Sequence, residues 1–142
     1  MNKLAKVSAA TEVLITAAIE MPFKRLGVII PVEKRHCSIG QILGRACREH
    51  CDSVAAIIDG LIDYGVLAVS QSNFGTVKDV GFTELAHQLI SYERAVRTAD
   101  PLSIETPTVS SELSVVLAQV DSDSRFSITV PAETLFAPFD LI

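Results

Sequence analysis

The sequence predicts an α+β fold in which helices dominate and a closely spaced helix pair runs into two short strands. Three observations carry this. Apolar residues recur at helical spacing in four segments punctuated by Gly, Pro or capping residues. Two β-rich segments, VLAVS at 66–70 and TVKDVGF at 76–82, flank the turn chemistry of QSNFG at 71–75. Hydrophobic residues make up 49% of the chain and charged residues 20%, the content of a packed globule without a disorder signature. At 142 residues the chain is the size of one ordinary domain, large enough to bury a core without staples.

Taken in order, Ser8 is placed to cap a first helix whose Val13, Leu14, Ala17, Ala18 and Met21 repeat at helical spacing, and Pro22 stops it. LGVIIPV at 26–32 is β-branched and bounded by Gly27 and Pro31, which reads as a strand or an extended connector. Ser38 with Gln41 three residues on is a capping-box pattern that starts a second helix. A third helix runs over about 52–64, with Gly65 as the residue that ends it. After the strand pair, Thr83 opens another helix to about Thr98, in which Glu93 and Arg97 can pair at i,i+4. Pro, Ser and Thr then dominate 100–111, a linker between a first unit, 1–99, and a second, 112–142. In that second unit LSVVLAQV and RFSITV flank DSDS and predict a small C-terminal β-hairpin. LFAPFDLI follows as an apolar arm.

HCSIGQILGRACREHC at 36–51 holds all three cysteines and two of the three histidines, and invites a metal reading. A helix from Ser38 to Cys47 would separate Cys37 from Cys47 by roughly 15 Å. Ligands of one ion sit within about 2.3 Å of it, so the two thiols cannot share one. Cys47, His50 and Cys51 would still need a fourth ligand, such as His87. We therefore expect no metal and no cofactor, with Cys47 a small core hydrophobe. Three cysteines with no disulfide framework suit a reducing compartment, which makes the cytoplasm the expected location.

Catalytic signatures are absent from the string. No glycine-rich phosphate loop, no G-x-S-x-G elbow and no nucleophile–base–orienter set is recognisable, so an enzyme is not expected. Lys3 and Lys6 before VLITAAI fall short of a signal peptide, because Glu12 abuts the apolar run and no small-residue cleavage pattern follows. No stretch reaches the ~18 apolar residues of a membrane helix, and no membrane partner is expected. A net charge of −5 disfavours a generally basic, non-specific nucleic-acid binder.

The richest pattern spans 38–90. Leu43 and Cys47 fall on the inner face of the second helix, and Val54, Ile58 and Leu61 on that of the third. The spacing V-x3-I-x2-L-x3-G-V-L ends the helix at a left-handed glycine and enters a strand. On these residues the chain resembles the winged helix-turn-helix family, and FTELAHQLI at 82–90 resembles the helix after the wing in MarR-type regulators. The resemblance covers about half of the chain. It implies a DNA-binding transcriptional regulator, dimeric through the N-terminal helix and the helix after the wing, whose third helix enters the major groove.

Carried onto this chain, the groove-facing positions are Asp52, Ser53, Ala55, Ala56, Asp59, Gly60 and Asp63. None is Arg, Lys, Asn or Gln, the types that make most base-edge hydrogen bonds. DNA contact would then fall on Lys34, Arg35, Arg45 and Arg48 as phosphate grips, with Ser53 on the third helix and Lys78 in the wing. The alternative is a winged-helix protein–protein interaction module, an adaptor or inhibitor that binds no DNA and uses the acidic third helix or the apolar terminus. Leu135, Phe136, Phe139, Leu141 and Ile142 are the expected partner-binding residues of that terminus. The groove that receives them is in the same chain, a second subunit or another protein.

Overall fold

The computed structural model describes residues 3–31, 34–71, 78–98 and 109–137. Five α-helices and two small antiparallel sheets are found among them.

Helix α1 runs from Lys3 to Glu20, because the apolar stripe of Val13, Leu14, Ala17 and Met21 extends back through Ala10 to Val7. Ser8 is therefore interior to the helix and not its cap. It is buried, and its hydroxyl donates to Glu93 at 3.1 Å. The single extended segment expected at 26–32 is instead a miniature hairpin, β1 (Lys24–Arg25) and β2 (Val28–Ile29). Leu26 and Gly27 at its tip have φ of 52° and 81°, the two successive positive values that a tight two-residue turn requires, and these fold the chain back on itself.

Strand β3 (His36–Ser38) leads directly into α2 (Ile39–Arg45). The capping box forms as expected: Gln41 N–H donates to Ser38 Oγ at 3.1 Å, and Ser38 N–H donates to the Gln41 side chain at 3.0 Å. Within α2 it is Ile42 that is fully buried, with Leu43 only partly covered. A 3-10 turn, Arg48–His50, then delivers the chain into α3 (Cys51–Asp63), which buries Val54, Ile57, Ile58 and Leu61. Gly65, at φ 75°, ends it, and Val66 N–H donates back to the Leu61 carbonyl at 2.9 Å.

Strands β4 (Leu67–Gln71) and β5 (Lys78–Phe82) pair antiparallel, and β3 joins the far side of β5, so the sheet order is β3-β5-β4. The turn residues 72–77 lie outside the described residues. Thr83 Oγ1 donates to the carbonyls of Gly65 and Val66 at 2.7 and 2.8 Å, tying the start of α4 (Glu84–Thr98) to the end of α3. The expected Glu93–Arg97 pair is made along α4.

The C-terminal β-hairpin is not formed. Residues 111–122 are helix α5 (Ser111–Ser122), capped by the Ser110 hydroxyl, which accepts from Leu113 N–H at 3.1 Å. The physical reason is periodicity: Leu113, Val116, Leu117 and Val120 fall at i, i+3, i+4 and i+7, and three of them are buried on one face. RFSITV contributes a 3-10 turn, Ser124–Phe126, and no strand. A last 3-10 turn, Ala132–Thr134, precedes an isolated bridge between Phe136 and Ala46. The expected linker falls largely on 100–108, outside the described residues. Helix α1 packs against α2, α3, α4, α5 and both late 3-10 turns, so one core holds Leu14, Ile58, Leu89, Val116, Phe126 and Leu135 together. Among the described residues, no helix is long and apolar enough to cross a membrane.

Candidate nucleic-acid interface

Helix α3 presents Asp52, Asp59 and Asp63 to solvent, while Ser53, Ala55 and Ala56 are half-buried. Gly60, expected to face outward, is buried. The cause is Phe126: a Cβ on Gly60 would lie 2.7 Å from two atoms of that ring. The turn carrying Phe126 thus occupies one side of the C-terminal half of α3. Phe126 is fully buried and stacks on Tyr64 with ring centroids 6.1 Å apart.

A polar clamp surrounds this contact. Arg125 donates to Asp123 Oδ2 through Nε at 3.0 Å and Nη2 at 2.7 Å, and to Asp63 Oδ2 through Nη1 at 2.8 Å. The Tyr64 hydroxyl donates to Asp123, and the Arg125 guanidinium lies 5.8 Å from the Tyr64 ring centroid. Hydrogen bonds from Arg125 hold the Asp123 carboxyl well below the usual carboxylate range. The neighbouring carboxylate raises the Tyr64 phenol above its ordinary value. One of the three outward acids of α3, Asp63, is therefore paired within the chain, through a guanidinium that it shares with Asp123.

The expected cations divide into two groups. Lys34, Arg48 and Lys78 are exposed, ahead of β3, on the turn into α3 and at the start of β5. Arg35 and Arg45 are engaged elsewhere: Arg35 Nε donates to the Ile30 carbonyl at 2.8 Å, and Arg45 pairs with Glu20 at 2.8 Å. The sheet register separates the exposed ones further. Ser38 stands opposite Asp79 and His36 opposite Gly81, so Lys78 and Lys34 lie toward opposite ends of the sheet. The exposed cation nearest to α3 along the chain is Arg48, with exposed Glu49 beside it.

The chain matches no family model, no curated protein and no solved structure.

The remaining expected sites resolve as follows. Leu135 and Phe136 are buried in the chain's own core, where Cys47 N–H donates to the Leu135 carbonyl at 2.9 Å and Ala137 N–H to the Arg45 carbonyl at 3.1 Å. They are a clasp within one chain and not an offered surface, because burying them here satisfies both their apolar area and their backbone. Phe139, Leu141 and Ile142 lie outside the described residues. Cys37 is buried in β3, and burial pushes its thiol up to about 11. Among the described residues no three His, Cys, Asp or Glu side chains cluster as metal ligands. Sequence reasoning missed the Phe126–Gly60 contact, though one signal was present: a glycine inside a helical pattern often marks a close packing neighbour.

Proposed function

We propose that this chain is a winged-helix transcriptional regulator of the cytoplasm that binds duplex DNA as a dimer, chiefly through phosphate contacts. The supporting observation is the arrangement of elements: α2, a short turn and α3 run into the β4–β5 pair, and β3 completes the sheet in the order β3-β5-β4. That layout leaves one face of α3 outside the core beside an exposed Arg48. In this reading the β4–β5 pair is the wing. Arg48, with Lys78 at the loop end of the wing and Lys34, grips phosphates, and Ser53 sits at the groove edge.

A second reading, a winged-helix interaction module without DNA, is favoured by Asp52 and Asp59 on the open face of α3 and by the engagement of Arg35 and Arg45 within the chain. Binding to duplex fragments of the source genome at two salt concentrations separates them. A regulator has a site whose affinity falls with salt, and Arg48→Ala lowers the salt slope by about one. An adaptor binds no fragment above background at either salt, and that result would reject the regulator.

A further inference from the structure

Leu26 is the most exposed large apolar side chain among the described residues, at 96%, and its backbone is held at φ 52°. The first position of such a turn ordinarily carries Asn, Asp or Gly, which tolerate the left-handed region. A leucine here costs backbone strain and gains no burial within the chain, so its use lies outside the chain. The register sets what surrounds it. Lys24 stands opposite Ile29 and Arg25 opposite Val28, and side chains alternate along a strand, so each face of the hairpin carries one cation and one β-branched residue. All four are exposed, and so is Phe23 just before β1.

Apolar side chains on both faces and at the tip restrict what can cover them. A folded partner laid against the hairpin covers one face and leaves the other in water. A DNA duplex accepts an apolar wedge between two base pairs, and the remaining aliphatic side chains would face phosphates. A lipid bilayer is fluid and closes around a protruding tip from every side. Charge selects the kind of bilayer. From Met21 to Pro31 the sequence holds Lys24 and Arg25 and no acid, in a chain of net charge −5. Exposed charges are screened beyond about 8 Å at physiological salt, so distant acids do not cancel the attraction of this pair to anionic head groups.

We propose that the β1–β2 hairpin is a membrane-surface anchor: Leu26, Val28 and Ile29 enter the interfacial layer of an anionic phospholipid bilayer while Lys24 and Arg25 stay among the head-group phosphates. Phe23 and Leu26 are three residues of extended strand apart, ~10 Å, which matches the depth to which peripheral segments bury. The lysine and arginine stems lie along apolar surface, and their charged ends reach back to the phosphates. Ile30 N–H donates to the Phe23 carbonyl at 2.7 Å, and at interfacial depth the outer edges of the two short strands stay hydrated. The root of the hairpin is fastened, because Arg35 Nε donates to the Ile30 carbonyl at 2.8 Å. Among the described residues no helix is long and apolar enough to cross a membrane, and surface anchoring needs none. Nothing in this inference depends on DNA binding.

Co-sedimentation of the full chain with phosphatidylcholine vesicles, with and without phosphatidylserine, tests it. The wild type is expected to pellet with the anionic vesicles, and less so as salt rises. Leu26→Asn suits the turn, so the fold should keep its thermal transition while the partition coefficient falls about tenfold. Lys24→Gln combined with Arg25→Gln should lower binding to the anionic vesicles about thirtyfold and remove most of the difference between the two vesicle types. Val115→Asn, which removes an exposed apolar side chain from α5, should change neither. A wild type that stays in the supernatant with both vesicles, or binding indifferent to Leu26→Asn, would overturn the proposal. So would a Leu26→Asn variant that binds vesicles normally and loses instead its affinity for duplex DNA, or its self-association.

Discussion

Gly60 and Phe126 show how one missing Cβ decides where a distant segment docks. In an open helix, Gly60→Ala would stabilise by up to about 1 kcal/mol through helix propensity. Here the new carbon meets a ring that is fully buried and stacked on Tyr64, so overpacking of about 1–3 kcal/mol outweighs the gain. We expect Gly60→Ala to lower stability in denaturant titration, and to become neutral or stabilising in a Phe126→Ala background, which itself costs about 3–5 kcal/mol. A stabilising effect in the wild type would show that the ring is not where the structure has it. Glu12 supplies a second test. Burial raises its pKa first, Glu133 and Glu93 add to this, and Arg97 opposes them. A carboxyl whose folded pKa exceeds its unfolded one stabilises fully below the unfolded value and loses that contribution as pH rises through the folded value. Glu12→Gln should therefore raise the melting temperature near neutrality and change it little in mild acid.

Among the elements, α2 and α3 have ends written in local chemistry. Ser38 and Gln41 form the reciprocal cap, and Gly65 supplies the left-handed exit. Ser38→Ala should cost about 1 kcal/mol in an equilibrium unfolding measurement, since the cap satisfies an otherwise open N–H. A cost near zero would mean that β3, which feeds α2, holds the turn without the hydroxyl. The β1–β2 hairpin and α5 were less legible. LSVVLAQV is β-branched in composition but helical in period, and composition favours the wrong element because the residues that form strands also fill a helix face. The tip at Leu26 was hidden because its turn uses leucine where the usual signal is Asn or Asp.

For the whole molecule, the C-terminal residues complete the core laid down by α1. Truncation after Ala132 removes Leu135 and Phe136 and with them two backbone hydrogen bonds to the 45–47 segment. Each large buried side chain is worth about 2–5 kcal/mol, and a domain of this size has only about 5–15 kcal/mol in total. The truncated chain should lose its cooperative thermal transition, while Leu135→Ala keeps it at a lower temperature. A truncated protein that melts like the full chain would show that this clasp carries no stability.

Local pattern in the sequence determined α2, α3, the β4–β5 pair, α4 and the acidic character of the α3 face, because caps, period and a terminal glycine act over a few residues. Only the tertiary structure decided that Arg45 is engaged within the chain, since it finds Glu20 through packing that no short window contains. It also decided that residues 123–126 cover one side of α3 and that Leu135 and Phe136 turn inward. The reason is common to all of these: each depends on two segments up to ninety or more residues apart in the chain meeting across one core, and sequence spacing carries no record of that meeting.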